Sequence, residues 1–140
     1  MYLKYSQNHI LNYVVRELGC SKDEVNLNSD LVKDLGCDGD DWDEFLTAFA
    51  KEFHVDMQSY LWYFHAKEEG MSLGGGVFRP PNERVKRIVI TPTLLLQAAN
   101  DGKWPVIYPE HKIPRKRYDL FINQFLLVLF ILVLIYKCSR

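Results

Sequence analysis

Residues 34–53 read "DLGCDGDDWDEFLTAFAKEF", with six carboxylates and two glycines in the first twelve positions and an apolar run behind them. Trp42, Phe45 or Leu46, Phe49 and Phe53 recur every three or four residues, which places side chains on one face of an α-helix. The spacing predicts a helix that starts near Asp40, with Asp40, Asp41, Asp43 and Glu44 at the positive end of its macrodipole. Chemically the acidic stretch is open to three readings: a metal loop, a catalytic acid pair, or the start of a recognition helix.

The first two readings lack their further residues. If Gly39 is the glycine of a calcium-binding loop, Asp34 takes the first ligand position, but Gly36 falls at the third and Phe45 at the twelfth, where oxygens are required. A hydrolytic acid–base pair needs environments that push two carboxyl pKa values apart, and no such contrast is visible around these residues. His9, His54, His65 and His111 have no i,i+4 partner or metal-ligand spacing, and Cys20, Cys37 and Cys138 form no Cys-x-x-Cys pair. The histidines read as ordinary surface or core residues and the cysteines as reduced thiols. "SLGGGVFRPPNER", residues 72–84, is a Gly/Pro-rich loop; no Lys-Ser/Thr follows its glycines, so it reads as a flexible connector, not a phosphate loop. Trp42, Trp62 and Trp104 are most simply core, although Trp62, Tyr63 and Phe64 could line an acyl or partner groove.

Outward from that stretch, Ile10, Leu11, Val14 and Leu18 repeat at helical spacing and Gly19 is a natural C-terminal cap. Between the two helices Val25, Leu27, Leu31 and Leu35 are available as core plugs in a looped segment. Residues 57–70, "MQSYLWYFHAKEEG", read as a short aromatic helix with a strand as the alternative, and "VKRIVIT" as a short extended segment. "TPTLLLQAANDG" is a punctuated helix: Thr91 as N-cap, Pro92 in the first turn and Gly102 past the end. No internal repeat is present.

Residues 120–136, "LFINQFLLVLFILVLIY", carry no charge, and residues 125–136 are apolar on every face. A helix of that composition has no solvent-facing stripe, and at 1.5 Å per residue it spans about 25 Å, most of a hydrocarbon core. The segment reads as one transmembrane helix. "MYLKYSQNHI" has no apolar run of the signal-peptide kind, so late insertion of the anchor is expected. Lys112, Arg115, Lys116 and Arg117 precede the span and only Lys137 and Arg140 follow it. The positive-inside rule then puts the N-terminal part in the cytoplasm, and the preceding cations meet anionic headgroups.

The net charge of −1 conceals an asymmetry. Residues 17–56 hold twelve acidic residues against three lysines, a net of −9, whereas residues 67–117 hold ten basic against five acidic, a net of +5. The acidic half repels nucleic acid and favours a basic protein surface, and the basic half leads to the membrane.

Residues 10–56, "ILNYVVRELGCSKDEVNLNSDLVKDLGCDGDDWDEFLTAFAKEFHVD", resemble an acyl carrier protein, in which helix one, a long loop and helix two follow in this order. "DLGCDGDD" falls where that family has Asp-Leu-Gly-x-Asp-Ser-Leu-Asp, and "VITPTLLLQAA" resembles its last helix. More narrowly, the Gly-Asp-Asp motif, the aromatic "YLWYFH" and the closing "TPTLLLQAANDGKW" resemble a bacterial carrier-like family, domain of unknown function 1493. The resemblance implies the carrier fold and departs from it at the reactive position. Where carriers have the serine that accepts phosphopantetheine, this chain has Gly39, and Asp40 replaces the following leucine. Glycine has no nucleophile, and the nearest downstream hydroxyl, Thr47, is about two helical turns away.

The expected fold is mainly α: an acyl-carrier-like small helical bundle with an inserted aromatic and Gly/Pro segment, followed by one C-terminal transmembrane helix. The expected organisation is a carrier-like cytoplasmic domain over 1–110, a basic juxtamembrane linker over 111–119, the span over 120–136 and a tail over 137–140. The expected function is a membrane-tethered, non-catalytic interaction protein of the bacterial inner membrane, single-pass, without cofactor or metal. Asp38, Asp40, Asp41, Asp43 and Glu44 face a basic partner, and Lys112, Arg115, Lys116 and Arg117 face the membrane surface. The alternatives are an accessory carrier that binds a lipid or acyl-handling enzyme non-covalently and, third, a small metal-dependent enzyme.

Overall fold

A computed structural model describes residues 4–68 and 73–139. The sequence readings that touch Met1, Tyr2, Leu3, Glu69, Gly70, Ser72 and Arg140 lie outside the described residues at those positions. Among the described residues four α-helices follow one another: α1 (Gln7–Leu18), α2 (Asp40–Phe53), α3 (Pro92–Asp101) and α4 (Tyr118–Cys138).

Local chemistry accounts for the ends of α1 and α3. Ser6 caps α1: its Oγ accepts from the His9 amide while His9 Nδ1 accepts from the Ser6 amide at 3.1 Å, a reciprocal box with histidine in the usual Glu/Gln position. Thr91 Oγ1 accepts from the Leu94 amide at 3.3 Å to start α3 on Pro92, and Gly19 and Gly102 close α1 and α3 in the left-handed conformation.

The core forms where the apolar faces meet. Ile10, Tyr13 and Val14 of α1, Trp42, Phe45, Leu46, Phe49 and Phe53 of α2, and Leu95, Ala98 and Ala99 of α3 are all buried. Tyr13 stands between α1 and α2, with ring centroids 5.2 Å from Phe45, 5.8 Å from Phe49 and 5.2 Å from Phe53. Its hydroxyl donates to the Phe45 carbonyl at 2.7 Å, so the one polar atom carried into this cluster is satisfied. Burial of each such ring is worth about 1.5–3 kcal/mol. Val25 and Leu31 plug the core from the loop as expected, while Leu27 and Leu35 are only half-buried.

Long-range polar contacts hold the loops. Asp30, 8% exposed, receives Arg87 through two charge-assisted bonds of 2.6 and 2.7 Å and also caps the amides of Val32 and Lys33. This ties the first loop to the segment before α3. That segment, read as extended, gives single bonds to two neighbours: Leu31 N to Ile90 O and Ile88 N to Phe64 O. Among the described residues there is no β-strand, only an isolated parallel bridge between Asp56 and Lys103.

Three expectations are corrected. The aromatic stretch is neither a helix of useful length nor a strand: one 3-10 turn, Trp62–Phe64, lies in otherwise irregular chain. Its order comes from Tyr108, whose hydroxyl donates to His65 Nε2 and accepts from the Leu61 amide and Trp104 Nε1. The glycine-rich loop is no free connector. Gly74 is buried, its amide donates to Asn123 Oδ1 at 2.8 Å, and a Cβ added there would lie 2.1 Å from the Asp119 carbonyl oxygen. Only glycine lets the loop backbone come this close to α4. Finally, α4 exceeds the predicted 120–136 at both ends, taking Tyr118 and Asp119 from the linker and Lys137 and Cys138 from the tail.

Candidate functional site

The start of α2 carries the acidic stretch. Gly39 is its N-cap residue at φ 62 and ψ −135, a backbone region L residues rarely adopt, and no side chain caps the helix there. The Gly39 carbonyl accepts from the Trp42 amide at 3.1 Å, and Asp38 Oδ1 accepts from the Gly39 amide at 3.0 Å, so Asp38 serves the turn itself. The glycine is thus more than a missing side chain. The turn that launches α2 uses a conformation that serine would be strained to adopt.

The other acidic residues do not act as one cluster. Asp40 and Asp43, one turn apart and exposed, line a cleft of about 470 Å³ together with Trp42, Tyr60, Trp62 and Lys67. Asp41 and Glu44 lie on the neighbouring face of α2, beside a smaller depression of about 360 Å³ shared with Glu17 and Cys37. Two carboxylate pairs therefore lie on adjoining faces of α2, both exposed to solvent.

The floor of the first cleft is rigid. Trp42 is buried and donates from Nε1 to the Tyr60 hydroxyl at 2.7 Å, and the Tyr60 ring stacks on His65 at 5.3 Å with planes 9° apart. His65 Nδ1 lies 2.9 Å from the Ile88 carbonyl, which fixes Nδ1 as the donor and leaves Nε2 to accept from Tyr108. Burial lowers the His65 pKa to about 4, so at neutral pH the ring is uncharged. Of the three tryptophans, Trp42 and Trp104 are core, while Trp62 is half-exposed and lines the cleft. Phe64 is buried and Tyr63 bonds to His111 at 2.8 Å.

Cys37, two positions before Gly39, is 2% exposed, and burial pushes its thiol up to about 12, so it is protonated at any physiological pH. Among the described residues no three His, Cys, Asp or Glu side chains are grouped to hold a metal ion. His9 caps α1, and His54 ends α2 in the left-handed conformation.

In the basic segment before α4, Lys112, Arg115 and Lys116 are exposed, but Arg117 is occupied. Its guanidinium joins Glu68 by two bonds of 2.7 Å and the buried Asp119 by bonds of 2.9 and 2.6 Å. Sequence reading missed this fork and the Asp30–Arg87 pair, because their partners lie 49 and 57 positions apart.

Helices α1 to α3 around one aromatic core, with α4 rising from the basic end, define a small all-α domain carried on an apolar helix. Residues 4–108 match the family described as "Protein of unknown function (DUF1493)", and the chain belongs to that family. No curated protein and no solved structure matches the chain.

Proposed function

We propose that this chain is a membrane-tethered, non-catalytic interaction protein, acyl-carrier-like in its helical part, that holds a basic protein surface against the start of α2. The observation that carries the reading is the pairing of exposed carboxylates with an aromatic cleft at the turn where Gly39 stands without a hydroxyl. A partner Lys or Arg between Asp40 and Asp43 would gain charge-assisted bonds and a ring face of Trp62 for cation–π contact. The apolar α4 supplies the tether, and the excess of cations ahead of it favours a single-pass protein of the bacterial inner membrane with its helical domain in the cytoplasm.

The second reading, a carrier-like accessory that binds an acyl chain or an acyl-handling enzyme non-covalently, draws on the same cleft, whose volume and aromatic lining suit a small apolar ligand. One experiment separates the two. Tagged full-length protein is captured from detergent-solubilised membranes beside Asp40→Lys/Asp43→Lys and Asp41→Lys/Glu44→Lys, with proteins and lipids identified by mass spectrometry. A protein held by wild type and lost from a charge-reversed variant supports the interaction reading. A lipid or fatty acid held equally by all three favours the accessory carrier.

A further inference from the structure

A second pocket, of about 210 Å³, lies at the root of α4, where residues 78–84 meet residues 113–119. Apolar walls include Phe78, Ile113 and Tyr118, and the Phe78 and Tyr118 rings touch at 5.5 Å between centroids. Four cations line it: Arg79, Arg84, Lys116 and Arg117. Arg117 is neutralised by Glu68 and Asp119. Among the described residues no carboxylate pairs with the other three, and Arg84 spends only Nε on the Arg79 carbonyl.

Beside the pocket the loop turns apolar side chains outward. Leu73 is 65% exposed, Val77 70% and Phe78 41%, and the Gly74 contact clamps this loop to the first turn of α4. An apolar edge and unpaired cations at the root of a membrane helix match the two halves of a lipid: acyl chain below, phosphate above. Long Arg and Lys stems reach from an apolar wall to a charged layer, and the guanidinium fork fits phosphate oxygens in pairs.

We propose that the cations at the rim of this pocket bind the phosphate of an anionic phospholipid, one of whose acyl chains enters the apolar pocket against Phe78 and Tyr118 and runs along the first turns of α4. The inference rests on the reading of α4 as the membrane tether. It goes beyond diffuse attraction to charged lipid, because the contacts belong to three particular cations and exclude Lys112 and Arg115, which lie outside the pocket.

The test uses the full-length chain in neutral detergent, exchanged against equal amounts of phosphatidylglycerol and phosphatidylcholine, with retained lipid counted by native mass spectrometry. Wild type is expected to retain phosphatidylglycerol preferentially. Arg79→Gln/Arg84→Gln/Lys116→Gln is expected to lose the preference, by about fivefold for each cation removed. Since Arg84 also braces the Arg79 carbonyl, Arg79→Gln/Lys116→Gln gives the same reading without disturbing that turn. Lys112→Gln/Arg115→Gln, on cations outside the pocket, should cost less of the preference than Arg79→Gln/Lys116→Gln; an equal loss there would overturn the pocket in favour of general surface charge. Displacement of the lipid by soluble glycerol phosphate would also overturn it, by making the site one for free phosphate esters. Alkaline carbonate washing separates the two levels of the account. Release of the full-length chain from the membrane pellet removes the tether and this inference together, whereas a chain that stays in the pellet without preferring phosphatidylglycerol removes this inference alone.

Discussion

Any side chain at position 39 meets a backbone at φ 62 and ψ −135. Gly39→Ser is therefore expected to lower stability by about 1–3 kcal/mol, the usual size of such strain, read as a drop in the thermal midpoint of the full-length protein. The same geometry makes Gly39→Ser a poor substrate for a phosphopantetheine-transferring enzyme, with Asp40 as a further obstacle at a position where carriers present leucine; intact mass after co-expression with such an enzyme should stay unmodified. Efficient loading of the single variant would show that the turn adapts and would restore the carrier reading. Two buried groups set the response to acid. His65 has its pKa lowered by burial from 6.5 to about 4, so the unfolded chain binds its proton first, and the stability tied to the neutral ring is full above pH 6.5 and lost as pH falls toward 4. The amount is about 3 kcal/mol. Asp30, held down to about 2 chiefly by its bonds to Arg87, contributes stability that is full above about pH 4 and lost as pH falls through 2. Urea unfolding across this range should show a first loss from pH 6.5 to 4, absent in a folded His65→Gln variant. Arg87→Met leaves a buried carboxylate unpaired and should cost about 3–5 kcal/mol at neutral pH, less below pH 4.

Helices α1, α2 and α3 were legible because each depends on neighbours within a few positions: an apolar side chain every three or four residues, Thr91 at the start of α3 and, for α1 and α3, a glycine at the end. The acidic start of α2 was legible for the same reason, but its division into an Asp40/Asp43 face and an Asp41/Glu44 face needed the helix to be placed against Trp62 and Glu17. The segment from Met57 to Lys67 was not legible. Its conformation is set by Tyr108, Ile88 and Trp104, tens of residues away, and no local period encodes such contacts. The glycine-rich loop misled in the opposite direction, since Gly74 serves close packing on Asp119 and not freedom. Gly74→Ala should push the loop off α4, because a methyl group cannot occupy space 2.1 Å from a carbonyl oxygen. Hydrogen exchange at the Gly74 amide and around Asn123 should quicken in that variant while exchange within α2 and α3 stays as in wild type; unchanged protection at the loop would contradict the close packing.

For the whole molecule, the largest departure from a soluble domain is α4, whose side chains from Phe125 to Tyr136 are mostly well exposed although nearly all are apolar. Its 21 residues reach about 31 Å at 1.5 Å each, enough to cross a hydrocarbon core. The full-length chain is expected to stay in the pellet through alkaline carbonate, and Leu129→Arg, at a cost of about 2.5–3.5 kcal/mol near the middle of the span, should shift a visible fraction to the supernatant. The domain meets α4 through the Gly74–Asp119 approach, the Gly74 bond to Asn123, the Phe78–Tyr118 ring contact and the Arg117 fork from Glu68 to Asp119. Cations gather at the root of the helix, and Glu68, which pairs with Arg117 there, also lines the cleft that holds Asp40 and Asp43. The most direct measurement is the association rate of the full-length protein with a captured partner as ionic strength is raised. Steering by the α2 carboxylates predicts a rate that falls steeply as salt shortens the screening length, and a flatter, slower response for Asp40→Lys/Asp43→Lys. A rate independent of salt, and equal for wild type and the charge-reversed variant, would contradict a charge-guided interaction at the start of α2.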